Sequence, residues 1–195
     1  LDESASTFGT LALTGANVAV TDAGAVDLGA STVSGTLGIT SAGAVTDSGT
    51  LAITGATTIS ASGQDITLDE SASTFGTLAL TGANVAVTEN AATDLGASTV
   101  SGTLGITSAG AVTDSGTLAI TGATTISASG QDITLDESAS TFGSLLLTGA
   151  NVAVTDAGAT DLGASTVGGT LGITYAGAVT DSGTLAITGA TTISA

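Results

Sequence analysis

The 195-residue sequence has 17 Asp and Glu residues and no Lys, Arg or His, which gives a formal net charge of −17 at pH 7. Because no side chain can neutralise a phosphate, we expect neither nucleic acid nor an anionic membrane surface as a partner. Three Phe and one Tyr supply too few large side chains for a thick core. The apolar runs are far shorter than the roughly 20 residues that span a bilayer, so no membrane-spanning segment is expected.

The chain consists of copies of one 67-residue repeat. The run LDESASTFGTLALTG begins at Leu1 and again at Leu68, and LDESASTFGSLLLTG begins at Leu135. The repeats are therefore 1–67, 68–134 and an incomplete third, 135–195. Self-similarity at a fixed period is typical of solenoids, and we expect residues 1–195 to form a single continuous solenoid.

Taken in chain order, the first repeat is a series of short segments in which apolar residues alternate with small or polar ones. These segments are TLALT (10–14), NVAVT (17–21), AVDL (25–28), TLGIT (36–40), TLAIT (50–54) and DITLD (65–69). A period of two predicts half-buried β-strands. The Gly-rich breaks TGAN, DAGA, SAGA, DSGT and ASGQ predict corners. Nine or ten strands are expected in each repeat, and no segment has helical periodicity.

This pattern predicts an all-β fold, a right-handed parallel β-helix (β-solenoid). Three strands per coil would give about 22 residues per coil and three coils per repeat. Nine coils at the usual spacing of about 4.8 Å would form a rod roughly 42 Å long. Stacking pairs each strand with those above and below, so edges remain only at the two ends. An alternative has two strands per turn, in units of 11 to 15 residues that each begin with Gly.

The motifs GTLALTGANVAVTDAG, GASTVSGTLGITSAGAVTDSGTLAITGATTIS and GQDITLDESASTFG resemble known repeat tracts. These are the repeat regions of giant bacterial β-strand-repeat exoproteins and of filamentous-haemagglutinin-like adhesins. The resemblance covers the whole chain. It implies export to the bacterial cell surface or medium, a right-handed β-helical shaft, and a role in attachment, aggregation or biofilm.

The residue types present offer little to catalysis. Ser and Thr are abundant, but no His or Lys is available to activate them as nucleophiles. The usual zinc and haem ligands are also missing. We therefore expect no enzyme activity and no cofactor, with calcium as the one candidate.

Calcium is the one metal for which the sequence offers ligands, because Ca²⁺ is bound by carboxylate oxygens. The candidate residues are the Asp-Glu pairs and the acids that flank the DAGA corner: Asp2, Glu3, Asp22, Asp27, Asp69, Glu70, Asp136, Glu137, Asp156 and Asp161. Neither the nonapeptide repeat nor the EF-hand loop is present. The interpretation we favour is solvated surface charge that keeps the rod soluble.

Together these features predict the structural shaft of a large secreted or cell-surface bacterial adhesin, or of an extracellular filament protein. The expected partners are other solenoid segments of the same long chain, through lateral or end-to-end self-association, and surface glycans. In one alternative the repeats themselves are multivalent, calcium-dependent surface- or glycan-binding modules. A remote alternative is an ice-binding solenoid, which the four-residue spacing of the threonines in TLALT disfavours.

The third repeat differs from the first at Ser144, Leu146, Thr160, Gly168 and Tyr175. The alternation places Leu146, between two other leucines, on the outside, and Tyr175 lies at a corner. Both residues are candidates for contacts with a partner. The alternative, which we favour, is that they are tolerated surface substitutions.

Overall fold

The computed structural model describes all 195 residues and contains 27 short β-strands and no helix. The strands of the first repeat are β1 (Thr10–Leu11), β2 (Thr14–Gly15), β3 (Val18–Asp22), β4 (Val26–Leu28), β5 (Ser31–Val33), β6 (Leu37–Ser41), β7 (Val45–Asp47), β8 (Leu51–Ile53), β9 (Thr57–Ser60) and β10 (Ile66–Leu68). Those of the second are β11 (Thr77–Gly82), β12 (Val85–Glu89), β13 (Thr93–Leu95), β14 (Ser98–Val100), β15 (Leu104–Ser108), β16 (Val112–Asp114), β17 (Leu118–Ile120), β18 (Ala123–Ser127) and β19 (Ile133–Leu135). Those of the third are β20 (Ser144–Gly149), β21 (Val152–Asp156), β22 (Thr160–Leu162), β23 (Ser165–Val167), β24 (Leu171–Tyr175), β25 (Val179–Asp181), β26 (Leu185–Ile187) and β27 (Thr191–Ser194). No helix is present that is long and apolar enough to cross a membrane.

The strands stack in parallel into two long sheets that face each other. Sheet A has the order β1-β4-β7-β10-β12-β15-β18-β20-β22-β25, and sheet B has the order β3-β6-β9-β11-β13-β16-β19-β21-β24-β27. Short strands close one side of the rod between the sheets: β2, β5 and β8 in the first repeat, β14 and β17 in the second, and β23 and β26 in the third. The predicted parallel β-solenoid is confirmed, and the second repeat has nine strands, as its alternation predicts.

The turn is shorter than the expected 22 residues. Stacked residues are about 19 positions apart, ranging from 17 for Thr10 and Asp27 to 22 for Ala52 and Thr74. The reason is that β11 and β20 are six residues long, and each pairs with two consecutive strands of the next turn. One long strand thus occupies the place of two, so neither three strands per coil nor two holds throughout.

The chain alternates between the two sheets, and each complete repeat contributes an odd number of strands to their main ladders. In the second repeat β11, β13, β16 and β19 lie in sheet B, and β12, β15 and β18 lie in sheet A. One turn contains one of these strands from each sheet, so seven strands make three and a half turns. Equivalent strands of successive repeats therefore lie on opposite sheets. Val18 of β3 is in sheet B, whereas its counterpart Val85 of β12 is in sheet A. A given surface therefore returns to the same face of the rod only in every second repeat.

Inward-facing serines make the bends beside the long strands. In the second repeat Leu80 N–H donates a hydrogen bond to Ser98 Oγ (3.0 Å), and Ser98 Oγ donates to Gly96 O (2.8 Å). The chain bends between β13 and β14, so no backbone carbonyl is available to Leu80 there. The serine hydroxyl replaces it and satisfies a buried N–H that would otherwise be unpaired.

The core is a thin aliphatic layer between the sheets. Thirty-nine buried hydrophobic residues form one continuous cluster along the rod. Leu104 and Ile106 of β15, which are 2% and 1% exposed, illustrate the alternation, since Gly105 between them faces outward. Each such side chain contributes roughly 1.5–3 kcal/mol of stabilisation when buried.

Candidate functional site

The acids at the ends of β3, β12 and β21 are buried inside the rod. We call Asp22, Glu89 and Asp156 the corner acids; they are 2%, 2% and 1% exposed. Each follows two inward-facing valines at a spacing of two, so the strand alternation directs the carboxylate inward.

The corner acids accept hydrogen bonds from the backbone of the corner they close. Asp22 Oδ1 accepts from Gly24 N–H (2.7 Å), and its Oδ2 accepts from Phe8 N–H (2.9 Å). Asp156 accepts from Gly158 N–H (2.8 Å) and from the Thr160 hydroxyl (3.0 Å). The chain has no cationic side chain, so N–H and O–H donors bind these carboxylates instead. A buried charge needs such hydrogen-bond partners to offset its loss of hydration.

Glu89 is the least satisfied of the three. Its Oε1 accepts from Phe75 N–H (2.8 Å), but its Oε2 is buried without a hydrogen-bond partner. Burial raises the pKa of the Glu89 carboxyl above its ordinary value, while the hydrogen bond from Phe75 N–H acts in the opposite direction. The longer Glu side chain, in a corner without the glycine of the other repeats, thus leaves one oxygen unpaired.

A second pair of inward acids, Asp47 and Asp114, was missed from the sequence; we call these the turn acids. Each is 8% exposed, and Oδ1 accepts from the N–H of Asp69 or Asp136 (2.8 Å in both) one turn further along. Burial raises the pKa of the Asp114 carboxyl, and the nearby carboxylates of Asp136 and Glu137 raise it further, against the backbone bonds. The turn acids therefore hold the Asp-Glu pairs in place through their backbone.

The acids in the middle of β4, β13 and β22 point outward; we call Asp27, Asp94 and Asp161 the outer acids. They accept hydrogen bonds from hydroxyls on neighbouring turns. Asp27 accepts from Thr10 (2.7 Å) and from Ser48 (2.7 Å). These bonds, that of Thr10 first, hold the pKa of the Asp27 carboxyl below its ordinary value.

The structure divides the calcium candidates rather than gathering them. Asp22 and Asp156 face the interior, whereas Asp27 and Asp161 bind hydroxyls on the outer face, so the residues of each DAGA pair do not converge. Asp2 and Glu3 are exposed and precede the first strand.

The two remaining Asp-Glu pairs lie above the turn acids. Asp69 and Glu70 lie near Asp47, and Asp136 and Glu137 lie near Asp114. No group of three or more acids has an arrangement that could hold a metal ion. Calcium binding thus stays the alternative to the solvated surface charge that we favour.

One column on each sheet carries an outward hydroxyl on five successive turns. On sheet B the residues in register on successive turns are Thr21, Thr40, Ser60, Thr81 and Thr99. On sheet A they are Thr88, Thr107, Ser127, Thr148 and Thr166. The adjacent sheet B column contains Ala19, Gly38, Thr58 and Ala79. Two outward hydroxyls therefore share a strand on β9 (Thr58 and Ser60) and on β18 (Thr125 and Ser127), whereas a flat ice-binding face would need such a pair on every turn.

The third repeat has a groove beside β20. Its volume is about 430 Å³, and the residues that line it are Ser129, Gly130, Thr148, Gly149, Ala150, Asn151, Thr166, Gly168 and Gly169. Leu146 lies two residues before Thr148, half-buried on the outer face as predicted. Tyr175 ends β24 at a corner, partly buried against the core.

The family described as Repeats of unknown function (DUF5649) matches residues 15–81, 82–148 and 149–195. Its repeat has the same 67-residue length as the one read from the sequence, in a frame that begins at residue 15 rather than at residue 1. No curated protein and no solved structure matches the chain significantly. Since the three matches together cover most of the sequence, the chain belongs to this family of repeats.

Proposed function

We propose that this chain is part of the shaft of a large secreted or cell-surface bacterial protein, an adhesin or an extracellular filament protein. Its role there is mechanical: a stiff rod gives reach and holds binding domains away from the cell, or associates with other rods to form matrix. The resemblance of its motifs to the repeat tracts of bacterial exoproteins supports this placement outside the cell.

The observation that carries the proposal is the continuity of the strand ladders across the repeat boundaries. β9 of the first repeat pairs with β11 of the second, and β10 pairs with β12. The second boundary is the same, with β18 paired to β20 and β19 to β21. Because no boundary interrupts the hydrogen bonding, repeats add length to one rod instead of forming separate domains.

The composition suits a rod exposed to the medium. The absence of Lys and Arg removes every trypsin site, and the stacked strands leave few long loops for other proteases. The large negative charge disfavours uncontrolled aggregation of a surface rich in small and apolar residues.

Rod length as a function of repeat number tests the mechanical part. Each added repeat should lengthen the particle by about 17 Å, which is three and a half turns at about 4.8 Å. Chains with two, three and four complete repeats would be measured by electron microscopy and small-angle X-ray scattering. A length that does not rise linearly with repeat number would contradict the shaft.

The location is tested separately on the organism that produces the protein. Antibodies raised against this fragment should label intact cells or the surrounding matrix, and proteinase K treatment of intact cells should remove the label. Labelling only after permeabilisation would refute an extracellular role while leaving the rod geometry intact.

A further inference from the structure

The groove in the third repeat lies where three successive turns meet at the edge of sheet A. The Ser129–Gly130 corner forms one wall, the end of β20 forms the floor, and the end of β23 with Gly168 and Gly169 forms the other wall. Its volume of about 430 Å³ is within the roughly 300–1,000 Å³ typical of small-molecule sites.

One substitution distinguishes the lining of the groove from the equivalent position one repeat earlier. The second repeat presents the same residue types at every lining position except one, where Ser101 stands in place of Gly168. No cavity is present at that position of the second repeat. A Cβ added to Gly168 would meet only Gly149 O, at 3.9 Å, so a serine fits there without strain and would narrow the groove.

A second substitution lies beside it. Leu146 replaces the alanine found at the corresponding position of the other two repeats. It is on the same face of β20 as Thr148, two residues away, which is about 7 Å along a strand. The Leu146 side chain covers Gly163 and does not line the groove, so only the Gly168 substitution changes the lining.

The lining is neutral and combines mostly apolar carbon surface with a few hydrogen-bonding groups. The hydroxyls of Ser129, Thr148 and Thr166 make no hydrogen bond within the protein. The Asn151 side chain is held in place: Nδ2 donates to Asp132 Oδ1 (2.9 Å), and Oδ1 accepts from Thr170 N–H (3.0 Å). Its second N–H remains free to donate, because an amide nitrogen carries two hydrogens.

These features select one class of ligand. An anion would find no cationic group and a chain of net charge −17, and a cation would find no carboxylate in the lining. A purely apolar ligand would leave three hydroxyls and an amide without water or a partner. We propose that the groove is a binding subsite for an uncharged saccharide, whose hydroxyls bind this lining while an apolar ring face packs against Ala150 and the glycine backbone.

The test uses the 195-residue chain and its Gly168→Ser variant, titrated with maltotriose, cellotriose and chitotriose. Trigalacturonate serves as the anionic control. The VGGT segment occurs only in the third repeat, so the amide signals of Gly168 and Gly169 report on this groove in NMR spectra. At least one neutral trisaccharide should shift these signals at millimolar concentration, and Gly168→Ser should weaken binding at least about tenfold.

A gain of function completes the experiment. Ser101→Gly should create the same groove in the second repeat and raise the stoichiometry from one to two. Equal binding by wild type and Gly168→Ser, equal binding of trigalacturonate, or no binding of any neutral trisaccharide would overturn the proposal. None of these results affects the rod-length measurement, so the proposed shaft function is tested independently of the groove.

Discussion

The inward and the outward acids of this rod use the same carboxyl group in opposite ways. Asp114 is buried and accepts from the backbone N–H of Asp136 (2.8 Å). Asp94 lies on the outer face and accepts from the hydroxyls of Thr77 (2.8 Å) and Ser115 (2.7 Å). The Asp114 carboxylate takes the place of water at a backbone N–H, whereas the Asp94 carboxylate and its hydroxyl donors also contact solvent.

The difference shows how a chain without cations accommodates negative charge inside. Backbone N–H groups at corners and turns replace Lys and Arg as partners, and they bind the carboxylate where the strand alternation places it. Removing a buried acceptor leaves a donor unsatisfied, which costs about 1–3 kcal/mol. Removing an acceptor on the outer face leaves no donor unsatisfied, because water can bind the donor instead.

The largest effect is therefore expected from Asp114→Ala, with Asp94→Ala as its outward counterpart. Asp114→Ala should lower the free energy of unfolding by about 1–3 kcal/mol, because Asp136 N–H loses its acceptor. Asp94→Ala should change it by about 0.5 kcal/mol or less. Thermal and urea unfolding followed by circular dichroism measure both, and hydrogen exchange should become faster at the Asp136 amide only in Asp114→Ala.

Asp114→Asn separates the hydrogen bond from the charge. The amide oxygen can still accept from Asp136 N–H, so this variant should retain most of the stability that Asp114→Ala loses. Equal losses in Asp114→Ala and Asp94→Ala would mean that the inward position gives the carboxylate no special role.

Much of the fold follows from the sequence because its causes are local and repeated. A period of two directs Leu37 and Ile39 inward regardless of what lies above them, and the glycine-rich breaks separate the strands. The length of the turn does not follow in this way. It depends on whether TLALTG forms one straight strand that spans two shorter ones on the next turn, as in β11, and that is decided by stacking rather than by local propensity.

The candidate sites, like the fold, could be predicted from the sequence only where their cause is local. The alternation in VTD predicts that Asp47 shares the inward face of Val45, so the turn acids could have been found by extending the pattern through the acid. Their N–H donors in Asp69 and Asp136 lie 22 residues away in sequence, and only the register brings them together. The groove was out of reach for the same reason, since Gly168 lines it together with residues of two preceding turns.

A smaller effect is expected from pH. Burial raises the pKa of Asp47, Glu89 and Asp114, whereas hydroxyl bonds lower that of Asp27. A raised pKa means that the folded state holds the proton more tightly than the unfolded chain does. The stability from that proton is fully present below the ordinary pKa and is lost as the pH rises through the raised value.

The melting temperature should therefore fall as the pH is raised from about 4 to 7, by roughly 2–4 °C for each kcal/mol lost in a chain of this size. The lowered pKa of Asp27 has the opposite effect on stability, but three carboxyls have a raised pKa and only this one has a lowered pKa. Glu89→Gln should reduce the slope, since a neutral amide can still accept from Phe75 N–H. Glu3→Gln removes one exposed charge and is the matched control; an identical slope in both variants would contradict the role of the buried acid.

The smallest effect is expected from calcium, and it sharpens the same comparison. The inward acids are inaccessible, and calcium needs six to eight oxygen ligands, which the exposed pairs do not gather. Millimolar CaCl2 should thus raise the melting temperature no more than NaCl of equal ionic strength, because both screen the same self-repulsion. The decisive variant is Asp136→Asn combined with Glu137→Gln. If wild type gains stability only in CaCl2 and this variant does not, the exposed pair above Asp114 binds calcium, and Asp136 and Glu137 must then be regarded as ligands rather than as solvated charge.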